Sequence, residues 1–201
     1  MTLQFSRPAL TARAAIALIG FVLLHGGGLV RAEQQQASAS ASQEAQALIR
    51  ELDAQDRYAR QLAFLRLEAL REPSTAETVQ RYLTSEDAFT RVYAVRALAA
   101  IQGVRALPIL LERLKTDRSP DVRVAAILAI EPLDDPSVLP ALLERLRDPR
   151  PDVRMAAADV VSRFDDPQAR AAILTRSRRE RHRDVRRVLE QAVTRMTSPA
   201  G

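Results

Sequence analysis

Apolar residues recur along this chain at helical spacing, and the recurrence itself repeats. Three copies of one apolar stripe are Val122, Ala126, Ile130 and Leu133; Val153, Ala157, Val161 and Phe164; and Val185, Leu189, Val193 and Met196. Residues three and four apart share a face of an α-helix, so each stripe predicts a helix with one buried side. The copies begin 31 or 32 residues apart. A helical unit repeated at about this length is typical of stacked-repeat proteins.

Another helical pattern fills the other half of each period. It precedes the apolar stripe in each unit, so we call it the first helix of a pair and the stripe helix the second. Leucines recur at helical spacing in residues 104–114 and again in residues 137–146. Pro108 and Pro140 lie near the first turn of these segments, where a missing N–H is tolerated. Capping acids followed by a first-turn proline separate the units: Asp134-Asp135-Pro136 and Asp165-Asp166-Pro167.

The pattern predicts an all-α solenoid of about five helix pairs, with no strand pattern anywhere. The pairs lie between Gln43 and Met196, and the first, less regular pair is predicted at residues 43–53 and 56–71.

One arginine marks each period. These ladder arginines are Arg60, Arg91, Arg123, Arg154 and Arg186. In three copies an aspartate precedes the arginine by two residues, namely Asp121, Asp152 and Asp184. We expect a structural ladder of arginine–aspartate contacts between successive repeats. A row of guanidinium groups that binds phosphates is the alternative.

The segment from Leu114 to Leu146 resembles a known repeat. It contains Pro-Asp-Val-Arg, an alanine-rich helix, Asp-Asp-Pro and Val-Leu-Pro-Ala-Leu-Leu-Glu-Arg-Leu, and is similar to the HEAT-like repeat first associated with phycobilisome bilin lyases. The resemblance implies a right-handed solenoid whose second helices line the concave surface. Glu131 stands where such repeats usually have glycine, and the first and fifth copies are less regular, as expected of caps with one face in water.

The N-terminus has the order of a secretory signal peptide. Arg7 and Arg13 precede an apolar run over residues 14–24, and Val30-Arg31-Ala32 offers small residues at a cleavage site. We expect residues 1–32 to be removed and the mature chain to be periplasmic or secreted, with no membrane span. An uncleaved anchor formed by residues 14–30 is the alternative.

Three further segments follow the leader in this interpretation. Residues 33–42 are a Gln/Ala/Ser-rich stretch expected to form a flexible spacer, residues 43–196 the repeat domain, and residues 197–201 a disordered tail.

Charge is distributed unevenly along the chain. The whole sequence carries a formal net charge of +5, yet residues 33–175 sum to −3, and residues 176–201 contain eight arginines against three acids. A negative repeat domain that is exported does not suit a nucleic-acid partner. The basic C-terminal end could contact an acidic partner or a membrane surface, or it could be the solvated face of a capping repeat.

Few residues are suited to catalysis or metal binding. The chain has no cysteine, and His182 is the one histidine outside the leader. This set provides neither a His/Cys zinc site nor a Cys–His dyad, and the paired aspartates lack an acid-rich loop for a hard cation. We therefore expect no catalytic residue, no metal and no cofactor.

The second helices are apolar on a face where a surface helix would be polar. The positions concerned, taken as candidate partner-binding residues, are Phe64, Leu65, Val92, Val95, Arg96, Val124, Ile127, Leu128 and Met155. We expect them to form an exposed groove on the concave surface. Burial of this face between neighbouring helices is the alternative.

These observations predict an exported scaffold that binds a protein or peptide partner and catalyses nothing itself. The alternative is a bilin lyase-like subunit that holds a tetrapyrrole in the concave surface, as the repeat resemblance implies.

Cleavage of the leader is directly testable. Because Val30-Arg31-Ala32 follows an apolar run, N-terminal sequencing of the protein from its native envelope fraction should find Glu33 first. A product that retains Met1 and sediments with membranes would instead indicate an anchor.

Overall fold

A computed structural model describes Arg31 and residues 35–197. The chain divides into two units, residues 1–44 and residues 45–201. The predicted signal segment lies outside the described residues except for Arg31, and so does the predicted tail except for Thr197.

The described part of the first unit corrects one expectation. Residues 35–44 are helical, although residues 33–42 were expected to form a flexible spacer. Alanine and glutamine are good helix formers, and no proline or glycine interrupts this stretch, so its low complexity does not prevent a helix.

The second unit is built from helices, and its described residues contain no strand. The α-helices are α1 (45–52), α2 (Arg57–Leu70), α3 (Ala76–Arg81), α4 (Ala88–Gln102), α5 (Leu107–Thr116), α6 (Pro120–Ile130), α7 (Leu139–Arg145), α8 (Pro151–Val161), α9 (Pro167–Arg179) and α10 (Arg183–Thr197). Short 3-10 turns occupy Pro73–Thr75, Tyr82–Thr84, Gly103–Ala106, Glu131–Leu133 and Pro136–Val138. Consecutive helices form five pairs within residues 45–197, which confirms the all-α solenoid.

Capping side chains and prolines fix where the helices begin. The Asp166 carboxylate accepts from the N–H groups of Gln168 (2.7 Å) and Ala169 (2.9 Å), and Asp135 accepts from Ser137 N–H (2.9 Å). These bonds satisfy donors that the first turn leaves free, as the two Asp-Asp-Pro sequences predict. Proline occupies the first helical position of α6, α8 and α9. At the other end of α4, Gly103 has a φ of 56°, a conformation in which glycine is not strained.

The second helices form the inner row of the array. Each of α2, α4, α6 and α8 packs directly against the next second helix, whereas the first helices α5, α7 and α9 touch one another far less. The second helices therefore form the more closely packed row of the array, which we call the inner row.

One hydrophobic core runs through all five pairs. Its largest fully buried side chains include Leu48, Phe64, Leu98, Leu110, Ile130, Leu142 and Leu189. The segment Ala88–Thr116 is long and apolar enough to cross a membrane by length and composition. In the structure it forms α4, a 3-10 turn and α5, and its residues Leu98 and Leu110 belong to this core.

Arginine–carboxylate pairs connect three of the repeats to the next one. In the second, third and fourth pairs, the guanidinium of the ladder arginine donates two hydrogen bonds to an acid. That acid lies in the loop between the two helices of the following pair. The pairs are Arg91 with Asp117 (both 2.9 Å), Arg123 with Asp148 (3.0 and 2.9 Å), and Arg154 with Glu180 (2.9 and 3.1 Å). All six side chains are at most 10% exposed.

The loops that contain Asp117 and Asp148 are each bound a second time, by the arginine of their own repeat. Arg123 Nη1 donates to the carbonyl of Asp117 (2.9 Å), and Arg154 Nη1 donates to the carbonyl of Asp148 (2.8 Å). The Asp117 carboxylate also accepts from the N–H of Ser119 (2.8 Å). Each loop is therefore held between two successive arginines, and few polar atoms of the buried pairs lack a partner.

The partners of the ladder differ from the expected aspartates. Asp121, Asp152 and Asp184 lie exposed in the first turns of their helices, two residues before the arginine. Positions two apart do not face each other on a helix, so these carboxylates point away from the guanidinium.

The ladder ends differently at the two ends of the array. Arg60 donates to the carbonyls of Leu52 (3.0 Å) and Ala54 (2.6 Å) and to the Thr90 hydroxyl (3.4 Å) instead of to an acid. Arg186 is exposed, and its side chain forms no hydrogen bond or ion pair with any residue that the structure describes.

Removing one ladder arginine should strongly destabilise the fold. Arg123→Leu leaves the Asp148 carboxylate buried without its main cation, so we expect the free energy of unfolding to fall by about 3–5 kcal/mol. Chemical denaturation followed by circular dichroism measures this. Arg118→Leu is the control, because its ion pair with Glu86 is exposed (69% and 93%) and should contribute almost nothing. Equal effects of the two substitutions would contradict a stabilising ladder.

The ladder also predicts that the free energy of unfolding depends on pH. Burial alone would raise the pKa of Glu180, but hydrogen bonds from Arg154, the His182 N–H and Arg176 outweigh it and lower the pKa from 4.5 to about 2. A lowered pKa gives stability that is complete above pH 4.5 and is lost as the pH falls towards 2. The loss from this group should reach about 3 kcal/mol.

Comparison of the native chain with Glu180→Gln isolates this contribution. The difference in unfolding free energy between them should be largest near neutral pH and should shrink between pH 4.5 and 2. A difference that stays constant over that range would exclude a strongly lowered pKa for Glu180.

Candidate functional site

The main surface depression of the inner row lies between α4 and α6. It has a volume of about 660 Å³, and it also reaches the end of α2. Its apolar lining includes Val92, Ala99, Val124, Leu128, Pro132 and Leu133. We call this depression the inner groove. Leu128, near the C-terminal end of α6, is 52% exposed and is one of the few large apolar side chains in the described part of the chain that face solvent to this extent.

The floor of the inner groove is backed by fully buried residues. Val92 and Val124 are half-buried, while their neighbours Val95, Ala126 and Ile127 are each 0% exposed. Packed cores hold side chains in fixed positions. The apolar lining is therefore a preformed surface.

Charged groups border the groove at its two ends. Arg96 donates to Glu68 (3.2 Å) across α4 and α2, and its guanidinium carbon lies 5.6 Å from the centroid of the Tyr93 ring. Arg71, at the end of α2, adds a second exposed cation. Asp121, at the start of α6, is an exposed acid on the opposite side of the lining. The groove thus combines an apolar floor with opposite charges at its borders.

The structure brings some of the candidate residues together and excludes others. Val92, Arg96, Val124 and Leu128 line the inner groove. Leu65 and Met155 are half-buried and lie outside its lining. Leu65 lies on α2, of which only the C-terminal end reaches the groove, and Met155 lies on α8, which contributes no residue to the lining.

Three candidate residues belong to the core and cannot contact a partner. Phe64 is 1% exposed, and Val95 and Ile127 are 0% exposed, although all three were expected in the groove. Each follows its ladder arginine by four residues, and Phe64 packs edge to face against the Tyr82 ring of the next repeat, with 5.5 Å between the ring centroids. Inner helices are covered from two sides, which is the alternative that the sequence left open.

Sequence reasoning missed the residues at the borders of the groove. Arg71, Gly103, Pro132 and Leu133 lie at the C-terminal ends of second helices, and Asp121 lies at the start of one. The periodicity within one helix does not show which helix ends come together. Leu133 was assigned to the buried stripe, and it is in fact half-buried.

The described residues show no candidate metal site. They contain no group of three His, Asp or Glu side chains able to hold a metal ion. His182 is exposed and directly precedes α10, and its backbone N–H donates to the Glu180 carboxylate (2.8 Å). The groove's own chemistry is that of apolar contact and ion pairing.

Comparison with solved structures gives similar folds. The chain is similar to the complex of CpcE and CpcF of phycocyanin lyase from Nostoc sp. PCC7120, with 24% identity and a TM-score of 0.58, covering 74% of this chain and 96% of that one. It is also similar to the S. pombe condensin Cnd3-Cnd2 subcomplex, with 26% identity and a TM-score of 0.63. That match covers 76% of this chain but only 22% of the condensin chain. These similarities concern the fold.

Comparison with curated proteins finds no match. The family model for HEAT repeats, in contrast, matches residues 45–131 and again residues 110–194, which together span nearly the whole second unit. The helix pairs, the inner row of second helices and this match lead to one conclusion: the chain belongs to the HEAT-repeat family.

Proposed function

We propose that this protein is a scaffold that binds a segment of a partner protein in the inner groove and has no catalytic activity of its own. The observation that carries the proposal is the exposure of Leu128 (52%) within an apolar lining. Clustered apolar surface that is preformed and exposed to water is characteristic of binding sites.

The dimensions and charges of the groove define the kind of segment. A volume of about 660 Å³ accommodates several apolar side chains on one face of a helix or strand. Arg71 and Arg96 border one end, and Asp121 borders the other. A partner segment with an acidic residue at one end and a basic residue at the other would complement these charges and bind in one direction.

We also propose that the protein acts outside the cytoplasm, in the periplasm or as a secreted protein. The support is the charged, apolar and small-residue order of residues 1–32. An anchor formed by residues 14–30 would place the same groove at a membrane surface.

Photo-crosslinking from the groove tests the scaffold proposal. A benzophenone amino acid at Leu128, and separately at Val92, should capture one and the same protein in the native host, because both positions line the groove. The same probe at Val104 is the control, since Val104 is equally exposed (56%) but lies outside the groove.

A substitution completes the test. Leu128→Asp should abolish capture from position 92 while leaving the melting temperature nearly unchanged, because Leu128 is largely in water. Capture of the same proteins at all three positions would contradict a specific groove. A bilin absorbance band that co-purifies with the chain and disappears in Leu128→Asp would replace the scaffold proposal with the lyase-like alternative.

A further inference from the structure

The ladder of arginine–carboxylate pairs is open at its C-terminal end. In three successive repeats the ladder arginine receives a bidentate carboxylate from the next repeat. Arg186 holds the same place in the last repeat, but no described repeat follows it. Its guanidinium is exposed and has no acceptor among residues 35–197. The end of the array therefore presents an arginine whose inner counterparts all bind carboxylates.

Arg186 lies within a cluster of cations at the turn between α9 and α10. The cluster consists of Arg178, Arg179, Arg181, Arg183, Arg186 and Arg187. All six side chains are exposed, and none forms an ion pair with an acid that the structure describes. The nearby acid Glu180 is already occupied by Arg154 and Arg176. Residues 178–187 contain these six arginines and two acids, Glu180 and the exposed Asp184, so the cluster carries a net positive charge, and we call it the arginine end.

The arginine end is not suited to the stacking of another repeat. The position four residues after the ladder arginine is fully buried in the first four repeats, where it is occupied by Phe64, Val95, Ile127 and Ala158. In α10 this position is Glu190, which is exposed. A sixth helix pair would have to bury this carboxylate against its own core, which is costly. The binding chemistry at this end is therefore ionic.

We propose that the arginine end binds an acidic segment of a partner protein, and that one carboxylate of the segment forms a bidentate pair with Arg186. Arg91, Arg123 and Arg154 occupy the same position in their repeats, and each donates two hydrogen bonds to one carboxylate. The planar guanidinium matches a carboxylate with two parallel hydrogen bonds, and the five neighbouring arginines attract further acids. This site is separate from the inner groove and does not depend on what the groove binds.

Fluorescence anisotropy with a labelled poly-glutamate peptide tests the proposal on the full chain. The peptide should bind at low ionic strength and dissociate as salt is added. Arg186→Lys keeps the charge but removes the bidentate geometry, and should weaken binding roughly tenfold, the effect of losing one charge-assisted hydrogen bond. Arg105→Gln removes an exposed arginine from a distant turn and should leave the affinity unchanged.

Two further probes separate the classes of partner. Vesicles containing phosphatidylglycerol and a single-stranded oligonucleotide should bind no more tightly than the peptide, and Arg186→Lys should not affect them more than Arg187→Lys does. Absence of peptide binding, or equal affinities of the native chain and Arg186→Lys, would overturn the proposal. Preferential binding of vesicles or oligonucleotide would also overturn it, in favour of a membrane or a nucleic acid.

Discussion

The buried arginine–carboxylate pair between successive repeats is the interaction on which this array depends. Removing both charges from water is expensive, and the expense is offset only when nearly every donor and acceptor is satisfied. The ladder meets that condition, because Arg123 binds the Asp148 carboxylate and the carbonyl of Asp117 at once. Two parallel hydrogen bonds form only when the guanidinium and the carboxylate lie side by side in one plane. The pair therefore fixes the position of each repeat relative to the next. Apolar packing between alanine-rich helices would define this position less sharply.

Much of the fold could be predicted from the sequence because its signals are local. The stripe through Val122, Ala126 and Ile130 depends only on helical spacing, and the caps at Asp135 and Asp166 depend on residues two or three positions away. The ladder partners depend on contacts about 25 residues apart, between Arg123 and Asp148 for example. Both Asp148 and Asp152 are acids near the start of α8, and periodicity alone does not distinguish a loop acid from a first-turn acid.

The candidate groove shows where the same reasoning stops. Periodicity identifies a second apolar face on α4 and α6, but not how much of that face the neighbouring helix covers. In the structure Ile127 is covered and the adjacent Leu128 is half in water. This division arises from the distance between adjacent second helices, a property of the array and not of any one helix. The chain therefore uses one apolar face for two purposes, with part of it joining repeats and part of it left as surface.

The two ends of the ladder are not complementary, and this bears on self-assembly. A copy stacked head to tail would bring its first loop to Arg186, and the loop position that carries an acid in the last three repeats is Ala54 there. A methyl group offers no acceptor for the guanidinium. Contacts that repeat head to tail without closing generate filaments, a constant hazard for proteins made of identical stacked units. Ala54 at one end and the charged Glu190 at the other therefore both disfavour head-to-tail stacking of copies into filaments.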